Sequence, residues 1–418
     1  MVDSSRCGIS VDIGTTNLTF HLTRHETGEL AGVLTLGNPQ RDYGEEIISR
    51  IDFARKPENA SLLTEVVRDT VNDGINEILQ KSNCDLESVD SVVIVGNTVM
   101  HHLFFGLSTS SLLSPPYRAE HKDSILAKPS DFELELPDEA LCYSPPIIES
   151  FIGADAVAMM LASEFVNSDS RIVSIDVGTN TEIAVLNDGK IWIASAASGP
   201  AFEGMSIECG TSGDVGAIYR VQIDPIDFSP HYEVIGGTKP TGICGTGVIS
   251  AIAGLLETGM LFPRGSFNRS RISPWLVTEA PIIHYILTPA SESATNSNIV
   301  LTQPDVRMLQ QSKASIRSAL GMVLQYAQLH PYDVDVLYLT GVFGSGLMIN
   351  DAIRIGLLPE MIKADVHQIV GGASIGADLM HKQECREHAV NLVSKTNYIE
   401  LTDNPEFKSL FAKNLPFP

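Results

Sequence analysis

Cys7-Gly8-Ile9-Ser10-Val11-Asp12-Ile13, then Gly14-Thr15-Thr16-Asn17, then Leu18-Thr19-Phe20-His21-Leu22, is the stretch on which the reading of this chain turns. An apolar run ends in an acidic residue, a glycine–threonine turn follows, and the next run alternates. That pattern predicts strand, tight turn, strand. The same form returns at Arg171-Ile172-Val173-Ser174-Ile175-Asp176-Val177, Gly178-Thr179-Asn180-Thr181 and Glu182-Ile183-Ala184-Val185-Leu186. A third strand follows each copy, over 30–36 and over Lys190-Ile191-Trp192-Ile193-Ala194. The likeness of 9–36 to 173–194 predicts a duplicated lobe, each copy opening with one hairpin.

A glycine at the apex of such a turn lets backbone N–H groups approach an anion closely. The hydroxyls of Thr15, Thr16 and Thr179 add donors, and Asp12 and Asp176 place a carboxylate beside a bound phosphate. There each can hold Mg²⁺, usually through water, because Mg²⁺ keeps much of its hydration shell. A single Asp-x-Gly-Thr is equally an ordinary hairpin with a capping carboxylate; two copies at equivalent places are a strong signal.

Between and beyond the hairpins the pattern predicts a helix from about Gly44 to Ala54, an amphipathic helix over 61–81, a strand at Val92-Val93-Ile94-Val95 and a helix carrying His101 and His102. It predicts an irregular Ser- and Pro-rich stretch over 108–148, a helix over 151–166, one helix after Gly247, and a long helix from Asp305 to about Leu329. A strand at 334–339 runs into Gly341-Val342-Phe343-Gly344-Ser345-Gly346. The split falls into a first lobe over 1–165 and a second over 166–418.

The 418 residues are 44% hydrophobic, enough for substantial cores, and the net charge of −23 disfavours nucleic acid and anionic membrane as partners. No secretory leader is read at Met1–Cys7, and no run approaches the ~18 apolar residues of a membrane helix, so a cytoplasmic protein is expected. Cys7, Cys84, Cys142, Cys209, Cys244 and Cys385 are scattered without a Cys-x-x-Cys pair, so no zinc site and no iron–sulfur cluster is expected in this chain.

Asp12-Ile13-Gly14-Thr15-Thr16-Asn17 and Asp176-Val177-Gly178-Thr179-Asn180-Thr181 resemble the two phosphate motifs of the acetate and sugar kinase, heat-shock ATPase and actin superfamily. Leu339-Thr340-Gly341-Val342-Phe343-Gly344 resembles its adenosine motif. The resemblance implies an α/β fold of two duplicated actin-like (ribonuclease H-like) lobes with a nucleotide cleft between them, taking ATP and Mg²⁺. It implies nucleotide contacts from Gly14, Thr15, Thr16, Asn17, Gly178, Thr179, Asn180, Thr181, Gly341 and Gly344. Gly245 and Gly247 are assigned to a nucleotide-contact or helix-entrance loop. Gly153-Ala154-Asp155 falls where that superfamily has its first connecting helix. Asp155 is then the residue expected to orient the attacking water, with a helix-surface carboxylate as the plain alternative and Glu182 and Glu203 as weaker claimants.

A narrower resemblance is to the ATP-dependent reductive activators of corrinoid proteins. It rests on Asn38-Pro39-Gln40, Tyr43-Gly44, Ile48-Ser49-Arg50-Ile51, Val95 through Phe104, Phe151 through Asp155, Gly199 through Gly204, Ile243 through Gly247, Asp305-Val306-Arg307 and Ile355 through Pro359, in order and nearly end to end. It implies ATP hydrolysis that accompanies return of a Co(II) corrinoid to Co(I) for a methyltransferase system. The partners implied are a corrinoid protein and, since no cluster motif is seen, an external ferredoxin-like electron donor; a homodimer is left open. Where the family shows two adjacent glycines this chain has Gly341-Val342, and valine does not readily take positive φ, so altered nucleotide contact is expected there. Asn97 reads equally as ligand contact or helix cap. Adjacent His101 and His102 point to different helix sides, which favours packing over a cobalt-ligand role. Cys244 reads as a packing residue. A small-molecule kinase and a chaperone-like regulatory ATPase remain competing functions, because the hairpins serve all three.

Overall fold

The computed structural model describes residues 6–113 and 117–418. These form two compact units. One comprises the residues up to Asp169 together with Asp188–Ile191 and Gly371–Tyr398; the other comprises Ser170–Asn187, Trp192–Val370 and Ile399–Pro418.

The first unit is built on strands β1 (Cys7–Ile13), β2 (Asn17–Arg24), β3 (Leu30–Gly37), β4 (Val89–Gly96), β5 (Ile125–Ala127) and β6 (Leu141–Ser144), in the order β3-β2-β1-β4-β6-β5. β1 runs antiparallel to β2 and parallel to β4, with Asp12 opposite Thr19 on one side and Val95 on the other. A strand flanked this way is covered on both faces and reads as a nearly continuous apolar run; within β1 only Asp12 is not fully buried, and buried Ser10 is hydrogen-bonded to His381 Nε2 at 3.0 Å. Helices α1 (Ile47–Phe53), α2 (Pro57–Ser82), α3 (Thr98–Phe105) and α4 (Ala154–Ala162) complete this part. Proline in its first turn opens α2, left-handed Asn83 (φ 54°) closes it, and Leu63, Val67, Val71, Ile75 and Ile78 form its buried stripe. From the chain's far end, the helix Gly372–Leu379 crosses α4 with Gly376 against the Ala158 carbonyl.

The second unit repeats the opening. Strands β7 (Ile172–Val177), β8 (Asn180–Asn187) and β9 (Lys190–Ala197) correspond to β1, β2 and β3. Smaller strands follow: β10 (Ala217–Ile223), β11 (Pro230–Val234), β12 (Gly242–Ile243), β13 (Leu276–Val277), β14 (His284–Thr288) and β15 (Ile299–Thr302). β16 (Val336–Gly341) takes the place of β4, and β17 (Asp365–Gln368) lies beyond it, giving the order β17-β16-β7-β8-β9. β16 runs parallel to β7 with Thr340 opposite Asp176, and Asp176 is again the one residue of its strand not fully buried. Helices α5 (Gly245–Glu257) and α6 (Gln303–Tyr326) pack Ile249, Ile252, Leu309, Ile316 and Leu320 into one core with Val173, Ile175 and Val185 of the sheet.

The structure departs from expectation over 108–148. Three-residue β5 and four-residue β6 extend the first sheet within that stretch. Strands so short leave no alternation to read among serines and prolines.

Candidate functional site

In the first unit the turn between β1 and β2 is closed by the Gly14 N–H donating to the Asn17 carbonyl at 2.9 Å. All three carbonyls of the turn are taken. Asn38 Nδ2 donates to the Gly14 carbonyl at 2.8 Å, Arg50 Nη2 to the Thr15 carbonyl at 2.5 Å, and the Asn38 N–H to the Thr16 carbonyl at 2.8 Å. In a trans peptide the C=O and the following N–H point in opposite directions. The N–H groups of Thr15 and Thr16 therefore face away from Asn38 and Arg50. Among the described residues no backbone carbonyl accepts from either. Such a row of outward N–H groups is an anion-binding concavity.

Arg50, in the Ile48-Ser49-Arg50-Ile51 stretch of α1, is a functional candidate that no motif marks by residue type. Its side chain is fully buried, donates also to the Gly44 carbonyl at 2.7 Å, and lies with Nη1 3.3 Å from Met100 Sδ. Burial, with repulsion from Arg41 in second place, lowers its pKa to about 10. Asn97 caps α3, accepting from the Val99 and Met100 N–H groups, and its Nδ2 donates to Thr15 Oγ1 at 3.2 Å. The cap reading is thus borne out, and the cap also touches the turn. Gly153 backs onto the end of β4 so closely that a Cβ there would lie 2.4 Å from the Gly96 carbonyl oxygen. This brings the first turn of α4, with half-buried Asp155, to the carboxyl ends of β1 and β4, the usual ligand edge of such sheets. Burial pushes the Asp155 carboxyl up to about 6, against the opposing pull of its hydrogen bond from the Ala156 N–H at 2.8 Å.

In the second unit the Gly178 N–H donates to the Asn180 carbonyl at 3.1 Å. Here Ser198 Oγ donates to the Gly178 carbonyl at 2.9 Å, and the Gly199 N–H to the Thr179 carbonyl at 2.9 Å. The two remaining hydroxyls are engaged, Thr179 Oγ1 with Glu203 at 2.7 Å and Thr181 Oγ1 with Ser198 at 2.7 Å. Glu182 accepts from Ser195 Oγ at 2.9 Å. Gly245 and Gly247 are buried; a Cβ on them would lie 1.9 Å from the Phe202 carbonyl oxygen and 2.2 Å from that of Ile218, so their backbone seats α5 against the 200–204 turn and β10. Cys244 packs beside them, its Sγ 3.4 Å from the Ile218 carbonyl oxygen. Asp305 completes the capping box of α6 with Thr302, accepting from the Thr302 N–H at 2.7 Å, and also accepts from the Glu208 N–H at 2.9 Å, an internal tie.

At the third motif the left-handed backbone falls on Gly341, at φ 65°, and not on Val342. A side chain on Gly341 would strike the Val177 carbonyl oxygen at 2.2 Å and Asp176 Oδ1 at 2.5 Å. The valine therefore sits in an ordinary conformation, and the expected backbone conflict there does not arise. Gly344 packs against the Ile369 carbonyl in the same way. His101 and His102 lie inside the first unit, buried to 1% and 0% exposure, with His102 Nδ1 donating to the Thr98 carbonyl at 2.8 Å. Burial lowers their pKa to about 3 and about 4, so both are neutral packing groups.

Among the described residues no three His, Cys, Asp or Glu side chains gather as a metal cage. A Mg²⁺ held by a carboxylate, water and phosphate oxygens needs no such cage, and each unit by itself offers one partly exposed aspartate at a strand end, Asp12 in the first and Asp176 in the second. No helix among the described residues is long and apolar enough to cross a membrane.

Two family models cover almost the whole chain: the RACo middle region over residues 7–168 and the C-terminal domain of RACo, the ASKHA domain, over residues 170–418. The chain belongs to the RACo family. The ASKHA match and the repeated β-meander establish the actin-like fold in this RACo-family chain. The chain is 32% identical over 420 residues to the corrinoid activation enzyme RamQ of Eubacterium limosum, covering 98% of this chain and 70% of that protein. It is 25% identical over 451 residues to the [Co(II) methylated amine-specific corrinoid protein] reductase of Methanosarcina barkeri, covering 98% and 77%. Among solved structures it superposes on a reductive activator for corrinoid, iron-sulfur protein with a TM-score of 0.89 at 28% identity, covering all of this chain and 67% of that one.

Proposed function

We propose that this chain binds ATP with Mg²⁺ and uses its hydrolysis to return a corrinoid protein from Co(II) to Co(I), the electron coming from a ferredoxin-like donor outside the described residues. The observation that carries the reading is the family match from residue 7 to residue 418. The turn geometry supports the nucleotide part. In both copies the carbonyls after the glycine are tied back by side chains or neighbouring backbone.

When bound, ATP supplies a phosphoanhydride whose cleavage releases the grip on its terminal phosphate. The residues of this chain do the rest. The N–H groups of Thr15 and Thr16 hold phosphate oxygens, and Gly14, Asn17, Gly178, Thr179, Asn180 and Thr181 shape the two turns. Asp12 and Asp176 take the metal's water shell. Gly341 and Gly344 let the backbone pass the nucleoside, and Gly245 and Gly247 set the α5 N-terminus near it. Asp155 accepts a proton from the attacking water; a carboxylate with a pKa of about 6 is ionised at neutral pH yet basic enough for that task. A corrinoid partner that prefers one nucleotide state is thereby linked to hydrolysis, and the linkage is reciprocal. A cytoplasmic location is part of the same proposal.

The test mixes the chain with corrinoid proteins in their Co(II) and methylated states, with and without ATP, and follows complex formation and phosphate release. Preference for the Co(II) form and a partner-dependent hydrolysis rate are expected. Asp12→Asn and Asp176→Asn should each slow hydrolysis by roughly 100-fold, the scale of a lost transition-state charge contact. Unchanged hydrolysis in both variants, or phosphate transfer to a small hydroxyl compound with no response to any corrinoid protein, overturns the proposal.

A further inference from the structure

We infer that Arg50 is a positioning residue for phosphate, turning the Thr16 N–H outward and placing a buried positive charge directly behind the first hairpin. This rests on the nucleotide reading above. Three observations carry it.

First, the guanidinium is fully buried, and among the described residues no carboxylate pairs with it; its partners are the carbonyls of Thr15 and Gly44 and the sulfur of Met100. Isolating a charge from water costs several kcal/mol unless an opposite charge compensates. Neutral carbonyls and a thioether do so only in part, so an anion close to the turn completes the site.

Second, the two turns differ where Arg50 acts. The first is one residue longer: the Gly14 N–H reaches the Asn17 carbonyl, whereas the Gly178 N–H reaches that of Asn180. At the second hairpin Ser198 Oγ and the Gly199 N–H hold the Gly178 and Thr179 carbonyls, as Asn38 holds those of Gly14 and Thr16 at the first. The additional carbonyl, that of Thr15, is the one that receives the cation.

Third, one peptide unit separates the guanidinium from the proposed ligand. Arg50 Nη2 donates to the Thr15 carbonyl at 2.5 Å, and the Thr16 N–H of that same peptide points the other way. A cation on the carbonyl polarises the peptide and strengthens the donor at its far end. The fork of the guanidinium also spans two carbonyls, those of Thr15 and Gly44, which an ammonium does with poorer geometry.

The test uses Arg50→Met and Arg50→Lys in the full chain, with calorimetric titration of Mg-ATP and of adenosine. Loss of a charge-assisted contact predicts Mg-ATP binding weaker by roughly 10- to 100-fold in Arg50→Met, with partial recovery in Arg50→Lys and adenosine affinity unchanged in both. A residue that merely props the fold would weaken adenosine equally, and lysine would recover nothing. If Arg50→Met does not fold, Arg50→Lys alone must still separate the two ligands. Hydrogen exchange in the ligand-free protein supplies a second readout: in Arg50→Lys the hydrogen-bonded amides of Gly14 and Asn38 should exchange faster while those of Gly178 and Gly199 do not change. Wild-type protein that fails to bind Mg-ATP sinks the nucleotide reading but leaves the exchange result to judge Arg50's hold on the turn. Equal Mg-ATP affinity in wild type and variants, or unaltered exchange at Gly14 and Asn38, overturns the inference.

Discussion

Acidification from pH 7 to pH 5 should destabilise the first unit through its buried neutral histidines, of which His101 and His102 are adjacent on α3. His101 and His102 titrate near 6.5 when unfolded, while burial holds them at about 3 and about 4 in the folded chain. Groups with depressed folded pKa leave the unfolded state binding more protons between those values. The stability they confer is complete above pH 6.5 and falls as pH drops toward 4. Integrated from pH 7 to pH 5, each histidine costs about 2 kcal/mol, or about 4 kcal/mol for the pair. Asp155 works the other way: its folded value, raised to about 6, binds a proton in the native state first and returns about 1 kcal/mol over the same span. These three groups alone lose about 3 kcal/mol, and His381, which burial also lowers to about 3, adds to the loss in the same direction; the sum is a large share of the 5–15 kcal/mol typical of a folded domain. The assay is urea unfolding at pH 7, 6 and 5 on wild type and His102→Asn, whose amide can still donate to the Thr98 carbonyl that His102 Nδ1 engages. The variant should be less pH-sensitive by about 2 kcal/mol across the range. An unchanged pH slope in His102→Asn refutes the reasoning.

Gly341→Ala should weaken Mg-ATP binding more than it weakens the fold, since a methyl there meets Asp176 Oδ1 and the Val177 carbonyl, while a left-handed alanine itself costs only about 1–2 kcal/mol; titration beside thermal melting separates the two losses. Val342→Gly, by contrast, should leave nucleotide affinity nearly unchanged, because the positive φ is already on Gly341. The hydrolysis rate should fall below about pH 6 along a single ionisation belonging to Asp155, and Asp155→Asn should be slow at every pH with that inflection gone, a profile read from phosphate release over pH 5–8.

The hairpins were legible because they are local and repeated. Each needs only an apolar run, an acidic residue, a glycine and a threonine within a dozen residues, and both turned out as strand–turn–strand units with their aspartates at the strand ends. The long helices were legible from their stripes and caps. The short strands within 108–148 were not, and neither was the return of Gly371–Tyr398 to the first unit. That return is held by contacts no local pattern encodes, such as His381 Nε2 on Ser10 Oγ at 3.0 Å, 371 residues apart in sequence.

The site divides along the same line. Side chains that would touch a ligand announced themselves by type and spacing. Those that shape the turn from behind, Asn38 and Arg50, stand 24 and 35 residues from the carbonyls they hold, and nothing in an arginine among helical residues says that it will be buried. The adenosine motif shows the converse error. Two adjacent glycines look like two demands for positive φ, so a valine in the second place looks like damage. The parallel register decides otherwise: Thr340 lies opposite Asp176 and Gly341 opposite Val177, so the closest approach of the two strand ends falls on Gly341. Both the steric demand and the left-handed turn belong to that one residue. The next position is free to carry a side chain, and Val342 uses that freedom to pack against the second unit's core.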